Sequence, residues 1–387
     1  MKDEELLISE NEIFESKIRI PFEAKSIIFK SNQKRFGLTQ IKNILNFMII
    51  ARKKYKLSIF PVKIKLGECI FEDKLSYIML EILLEYLIRE ERIVCDLEFK
   101  CNHNIFNEGI KTSFLRFINN KIDPAFISKK NCSAISFSHY RKIISMDTYD
   151  IATISRTVQD IDAFLKTHQV QEEYRNEVSD VIGELVDNAL DHSNSDCLLD
   201  LDITNDYVKR DDKDNSQYCG VNIVILNFSD ILLGNNIKEK LSNNSIETFG
   251  KRYAELNKAY KYHSRAFDGN YDERSFFAIA AFQHKISSRN SSTGGTGLTC
   301  LIKTLEEKSD AYNCYVITGN KKIHFNKEFL IYDEDEWIGF NESCNFLSDL
   351  PNKNIISKSP FFFPGTAYNL NFVLKREVKD EHPENNT

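Results

Sequence analysis

Residues 181–193 read VIGELVDNALDHS, and their side chains fall into two stripes at helical spacing. The apolar stripe predicts the buried face of a helix over residues 172–192 and consists of Val178, Ile182, Leu185 and Ala189. The polar stripe consists of Glu184, Asn188 and either Asp191 or His192. A carboxylate, an amide and an imidazole lined up beside a buried face form either an ordinary solvated surface or a set of groups presented to a ligand.

A glycine-rich segment is the second informative motif. Residues 293–298 read TGGTGL and directly precede a predicted helix with apolar side chains at Leu298, Leu301, Ile302 and Leu305. Unobstructed backbone amides at a helix N-terminus bind phosphate groups well. The segment lacks the Lys-[Ser/Thr] pair of a P-loop, and no suitable strand directly precedes it. The sequence therefore predicts neither a Walker nor a Rossmann site.

In this order, the segments resemble the GHKL superfamily, the ATP-binding fold shared by DNA gyrase, the large heat-shock chaperone and histidine kinases. The first superfamily motif, E-x-x-x-N-A, matches Glu184, Asn188 and Ala189, and is followed by His192 and Ser193. The late G-x-G-L motif matches Gly295, Gly297 and Leu298. The Gly-Thr pair that usually begins the closing strand matches Gly365 and Thr366. The resemblance covers residues 141–376 and is closest to stand-alone bacterial ATPases and anti-sigma-type kinases.

The resemblance implies an α/β protein whose C-terminal part is a two-layer α/β sandwich that binds ATP with Mg²⁺. It implies that Glu184 polarises an attacking water or acceptor hydroxyl, and that Asn188 holds the Mg²⁺ ion. It assigns nucleotide binding to the loop around the triphosphate, made of Thr293, Gly294, Gly295, Thr296, Gly297 and Leu298. Thr366 would contribute a hydroxyl on the adenine side of the site.

One superfamily motif is altered in this chain. After the strand that ends in NIVIL, the superfamily has D-x-G-x-G, whose Asp accepts a hydrogen bond from the adenine amino group. Here the strand is followed by Asn227, Phe228, Ser229 and Asp230, and the next glycine is Gly234. Either Asn227 replaces the Asp, because its amide oxygen can still accept, or Asp230 supplies a carboxylate from a shifted loop. Asn227 is preferred because it directly follows the strand.

Two basic residues precede the glycine-rich segment. Arg289 could reach the γ-phosphate as a catalytic cation, and Lys285 is the alternative. A solvated basic patch would explain the same residues.

The remaining pattern predicts a smaller module before the ATP-binding domain. Residues 1–135 are expected to form an N-terminal α/β module of unknown role, with helices over residues 38–53 and 71–88 and strands over residues 57–66 and 93–99. The ATP-binding domain spans residues 141–376 and contains an acidic, aromatic insertion at residues 326–360. The polar tail at residues 377–387 is expected to be disordered.

Composition limits the classes of function. The chain has 387 residues and a net charge of -6, which argues against coating DNA or an anionic membrane. Its nine cysteines include no C-x-x-C pair, as expected in a reducing compartment. No segment approaches the ~20 apolar residues that a membrane span needs. The expectation is a cytoplasmic protein without membrane or direct nucleic-acid binding.

Three functions remain open at this point. The first is an ATPase that acts as a signalling, stress or defence switch, with a protein partner or as a homodimer. The second is an anti-sigma-type serine/threonine kinase acting on a small partner protein, and the third is a non-catalytic nucleotide-sensing module. An intact Glu184 argues against the third, since a pure binder needs no base.

Overall fold

The computed structural model of the chain describes residues 4–11, 22–23, 26–55, 60–100, 113, 133–207, 217–242, 250–286, 297–309 and 313–377. These residues form a mixed α/β protein, as the sequence predicts. Across the described ranges, no helix is both long and apolar enough to cross a bilayer. The predicted tail falls almost entirely outside these ranges.

The N-terminal part is built on a parallel sheet. Its elements are α1 (Glu5–Ser9), β1 (Phe22–Glu23), β2 (Ser26–Lys30), β3 (Arg35–Phe36), α2 (Leu38–Lys54), β4 (Val62–Glu68), β5 (Ile70–Phe71), α3 (Lys74–Arg89) and β6 (Cys95–Lys100). The strand order is β1-β2-β4-β6, with β2, β4 and β6 parallel and β1 antiparallel to β2. Strands β3 and β5 form a separate parallel pair. The predicted helices and strands of this region are confirmed where they are described, with ends shifted by a few residues. Residues 57–59 of the first predicted strand lie outside the described residues.

The C-terminal part is built on a six-stranded antiparallel sheet. Its elements are β7 (Ser133–Ile135), β8 (His139–Ile144), α4 (Ile151–Thr167), α5 (Glu172–Asp187), β9 (Cys197–Tyr207), β10 (Tyr218–Asn227), α6 (Asn235–Ser242), α7 (Lys251–His263), α8 (Glu273–Ala280), α9 (Gly297–Lys308), β11 (Tyr315–His324) and β12 (Ile356–Lys375). Short 3-10 turns occupy Met146–Thr148, Ser264–Ala266 and Lys327–Phe329. The strand order is β11-β12-β10-β9-β8-β7, and all neighbours are antiparallel.

Both faces of the six-stranded sheet are buried. Side chains alternate along a strand, so Ile223 and Ile225 of β10 pack with the C-terminal helices, whereas Val224 and Leu226 pack with α2 and α3. Helices α2 and α3 therefore lie between the two sheets. Every residue of α3 from Lys74 to Ile88 is buried, because the helix is covered on all sides.

Buried charges connect α3 to the six-stranded sheet. Strand β9 turns Asp200 and Asp202 toward α3, where Lys74 Nζ lies 2.6 Å from Asp200 Oδ1 and also contacts Asp202. Arg141 of β8 pairs with Asp200 and with Glu81 of α3. Burial disfavours a charged carboxylate, but Arg141 and Lys74 hold the pKa of Asp200 well below its usual range. We call these five residues the buried ion network.

The segment at residues 326–360 is part of the main core. Its Trp337 and Phe340 are fully buried, and Phe346 stacks on Trp337 with ring centroids 5.6 Å apart. The guanidinium of Arg252, on α7, lies 3.8 Å from the centroid of the Trp337 ring. The segment therefore anchors α7 through aromatic packing.

We expect Lys74→Met to reduce the free energy of unfolding by about 3–5 kcal/mol, because Asp200 and Asp202 would lose their shared cation while remaining buried. Urea denaturation measures this. The control is Lys63→Met, which removes an exposed pair with Asp96 at 3.9 Å and should cost less than about 1 kcal/mol. Equal losses in the two variants would contradict a structural role for the network.

Glu85 predicts a dependence of stability on pH. Burial, reinforced by Glu4 and partly opposed by Arg89, raises the pKa of Glu85 to about 7. A carboxyl group with a raised folded-state pKa binds its proton more tightly when folded. Its contribution is therefore fully present below its usual pKa of 4.5 and is lost as the pH rises to about 7.

We expect the wild-type chain to lose about 3 kcal/mol of unfolding free energy over that pH interval relative to Glu85→Gln, which cannot titrate. Urea denaturation at a series of pH values measures the difference. Glu98→Gln is the control, since this exposed residue pairs with Lys65 at 3.7 Å. Parallel profiles for the wild type and Glu85→Gln would show that Glu85 does not carry the effect.

Candidate functional site

Helix α5 ends in a π-turn, Asn188–His192, which follows directly on Asp187. The predicted helix over residues 172–192 is therefore confirmed, with a wider last turn. Single π-turns are frequent at functional sites because they displace side chains from the regular helical stripe. Glu184 is exposed one turn earlier, and Asn188 is half-buried.

Asn227 and Thr366 lie side by side at one end of the six-stranded sheet. They are paired in register between β10 and β12. Side chains alternate between the two faces of a strand, so Asn227 lies on the same face as Ile225, and Thr366 on the same face as Tyr368. That face packs against the C-terminal helices, including α5. Asn227 is 3% exposed and Thr366 is 9% exposed. Asn227 Nδ2 donates a hydrogen bond to Ser195 Oγ at 3.0 Å.

Three segments meet around Asn227. Gly365 adopts a φ of +99°, and a Cβ atom there would lie 2.3 Å from the carbonyl oxygen of Asn227. Ser229 donates its hydroxyl to the carbonyl oxygen of Ser193 at 3.1 Å, just beyond the π-turn. The end of α5, the end of β10 and the Gly365 turn are thus held together.

The structure separates the two residues considered for the altered motif. Asn227 is enclosed at the end of β10, whereas Asp230 is exposed on the following loop. Gly234, the next glycine, has a φ of +87°, and a Cβ atom there would lie 2.3 Å from the carbonyl oxygen of Phe277. Gly234 therefore allows the loop to pass close to α8.

Helix α9 begins beside the second half of α5. At its far end, Lys308 pairs with Glu177 and lies 4.7 Å from the centroid of the Tyr174 ring. In its first turn, burial raises the pKa of the Cys300 thiol, and the charges of Asp180, Glu184 and Glu177 raise it further. The two helices therefore run antiparallel. The predicted apolar residues Leu301, Ile302 and Leu305 are fully buried.

Several predicted site residues fall outside the described residues, namely Arg289, Thr293, Gly294, Gly295 and Thr296. Gly297 is the first residue of α9, and Leu298 is half-buried against the core. Lys285, the alternative to Arg289, is exposed.

A cavity of about 300 Å³ lies next to the α5–α9 contact and is lined by Glu177, His284, Thr299, Cys300, Lys303, Thr304 and Glu307. His284 Nε2 is 3.0 Å from Glu336 Oε2. Burial, partly offset by Glu336, lowers the pKa of His284. Sequence analysis did not identify these residues, because they come from separate segments without a common motif.

One group in the described part of the chain has the residue types of a metal site. His139, Asp200 and Asp202 bring three ligand atoms within 4.8 Å of one another. The ammonium of Lys74 already contacts both carboxylates, so a cation of the protein takes the place of a metal. Sequence analysis also missed this group, although two acidic residues in an otherwise apolar strand were its visible signal.

Comparison of the chain with protein-family models, with curated proteins and with solved structures finds no match in any of the three. The interpretation of the site therefore depends on its own residues.

Gly365→Ala should destabilise the protein more than Gly250→Ala. Both glycines have a positive φ, but a Cβ atom at Gly250 meets nothing within 4 Å, whereas one at Gly365 collides with Asn227. We expect about 1–3 kcal/mol for the backbone strain alone in Gly250→Ala, and a larger loss in Gly365→Ala. Thermal and urea denaturation measure both. A smaller loss at Gly365 would show that the turn does not hold Asn227.

Proposed function

We propose that the chain is a GHKL-type protein that binds ATP with Mg²⁺ on the helix-covered face of its six-stranded sheet. The main support is the convergence of four separate segments. Asn188 of the π-turn, Asn227 of β10 and Thr366 of β12 lie near one end of the sheet, where Ser229 bonds to Ser193, and α9 packs against α5. Glu184 lies one helical turn before Asn188.

The residues present are compatible with adenine. Within the described chain, no protein group donates a hydrogen bond to Asn227 Oδ1, although the residue is almost completely buried. An amide oxygen without a protein donor can accept a hydrogen bond from a ligand. The adenine amino group is a donor of this kind, and Thr366 places a hydroxyl next to it.

The residues are also compatible with magnesium and phosphates. Mg²⁺ usually keeps several waters and binds one or two protein oxygens together with substrate phosphates. A single amide oxygen from Asn188 meets that requirement. The first amides of α9 would add hydrogen bonds to phosphate oxygens. The superfamily resemblance assigns the rest of the phosphate loop to residues 293–296, and Arg289 or Lys285 would supply a cation for the γ-phosphate.

Glu184 would then act on the nucleophile. An exposed carboxylate beside the phosphate end can accept a proton from water and orient its oxygen toward the γ-phosphate. The reaction would be ATP hydrolysis in a signalling, stress or defence switch. Because α2 and α3 cover the opposite face of the same sheet, a change in the site would reach the N-terminal part through β9 and β10.

An anti-sigma-type kinase is the second candidate. The cavity beside α9, of about 300 Å³, would admit an acceptor side chain of a partner protein. Transfer to a protein hydroxyl and transfer to water would use the same Glu184, and only the fate of the phosphoryl group differs.

We expect Glu184→Gln to lower turnover of ATP by about 10²–10⁴-fold while leaving its Kd nearly unchanged, because the amide cannot accept the proton. The assay follows γ-phosphate-labelled ATP with Mg²⁺ into free phosphate and into protein. Glu173→Gln makes the same change of charge in the first turn of α5 and should retain full turnover.

Each outcome has a defined meaning. Release of labelled phosphate supports an ATPase, and label retained on protein supports the kinase. If the wild type binds ATP without turnover, the result supports the non-catalytic nucleotide-sensing module. If it does not bind ATP, the result contradicts the proposal altogether.

A further inference from the structure

Helix α1 is attached to β12 through the side-chain amide of Asn11. Asn11 Nδ2 donates to the carbonyl oxygen of Phe362 at 2.7 Å, and the Phe362 amide donates to Asn11 Oδ1 at 2.8 Å. A backbone N–H can only donate and a carbonyl can only accept, so these two bonds fix the orientation of the Asn11 amide. Asn11 Nδ2 also donates to the carbonyl oxygen of Leu7, within α1, at 2.8 Å. The helix is therefore tied to the strand shortly before the Gly365 turn.

A second contact of α1 brings two buried carboxylates to one guanidinium. Glu4 directly precedes α1, and Glu85 lies on α3. Arg89 donates to Glu4 Oε2 at 3.0 Å and to Glu85 Oε1 at 3.1 Å, and it also bonds to the exposed Glu90. Glu85 Oε2 is buried and receives no hydrogen bond from the described part of the chain. The ionised form of Glu85 is therefore only partly compensated.

The protonation of Glu85 controls this contact. Burial raises the pKa of Glu85 to about 7, and the charge of Glu4 raises it further. The positive charges of Arg89, Arg141 and the chain's amino terminus lower this pKa but do not offset burial. Burial also raises the pKa of Glu4. A raised pKa in the docked state favours docking fully below the usual pKa of 4.5, and this contribution is lost as the pH rises through about 7.

We propose that α1 is a pH-dependent latch on β12. The latch is closed while Glu85 carries a proton, and it opens when Glu85 and Glu4 are both ionised beside the shared guanidinium. Opening exposes Leu7 and Ile8, which otherwise pack in the same buried cluster as Phe363 of β12. The latch does not require nucleotide binding, so its test is independent of the proposed function.

Hydrogen exchange of the Phe362 amide measures the opening, because this amide donates to Asn11. Protection factors of the full chain, corrected for the intrinsic exchange rate, are compared at about pH 6 and about pH 8. Release returns Glu85 to its usual pKa of 4.5, so the protection factor should fall by about tenfold over this interval. Glu85→Gln should remove the fall, because an amide side chain does not titrate.

Glu5→Gln is the matched control, since Glu5 is an exposed carboxylate on α1, and this variant should retain the fall. The amide of Ile223, in the middle of β10 between β9 and β12, reports global unfolding. It should exchange more slowly than Phe362 at both pH values. Arg89→Gln is the second variant, which serves if Glu85→Gln does not fold. It should lower the protection of Phe362 more at the higher pH, because both carboxylates are then ionised without their guanidinium.

Three results would overturn the inference. The first is a protection factor of Phe362 that does not change between the two pH values in the wild type. The second is a fall that persists in Glu85→Gln, or an equal effect of Arg89→Gln at both pH values. The third is exchange of Phe362 at the rate of Ile223, which would mean that α1 is released only by global unfolding.

Discussion

Two buried carboxylates on β9 determine how the N-terminal part packs against the six-stranded sheet. Asp200 and Asp202 project from β9 into a buried layer, where an uncompensated charge would cost several kcal/mol. Lys74 and Arg141 supply the compensation, and Lys74 belongs to α3. The helix must therefore lie against the sheet at one position. This requirement joins the N-terminal part to the C-terminal sheet in one continuous core.

The six-stranded sheet separates the buried ion network on one face from the candidate site on the other. Val224 of β10 is paired with Asp200 and faces α3, whereas Asn227, three residues along, faces α5. Alternation of side chains along a strand produces this division. A shift of β9 against β10 would therefore disturb the ion network and the Asn227–Ser195 contact together. This arrangement connects the candidate site physically to the N-terminal part.

The spacing of apolar residues predicted the helices and strands that bury one face or their whole surface. Helices α2, α3, α5 and α9 follow from apolar spacing, and the predicted strand that ends in NIVIL is β10. Helix α7 was not predicted, because its sequence is polar and is held by contacts such as Arg252 on Trp337. The core position of residues 326–360 was missed for the same reason. The local sequence pattern indicates which face of a segment is buried, but not which distant segment packs against that face.

For the candidate site, sequence alone determined the residue types: Glu184 and Asn188 one helical turn apart, a glycine-rich segment before α9, and Asn227 directly after an apolar strand. These follow from spacing along the chain. Only the tertiary structure decided that Asn227 is bound to Ser195, that α9 runs antiparallel to α5, and that Lys74 neutralises the acids of β9. Hydrogen bonds and ion pairs of this kind join residues far apart in sequence. Their partners are set by how strands and helices pack, and no local pattern records that choice.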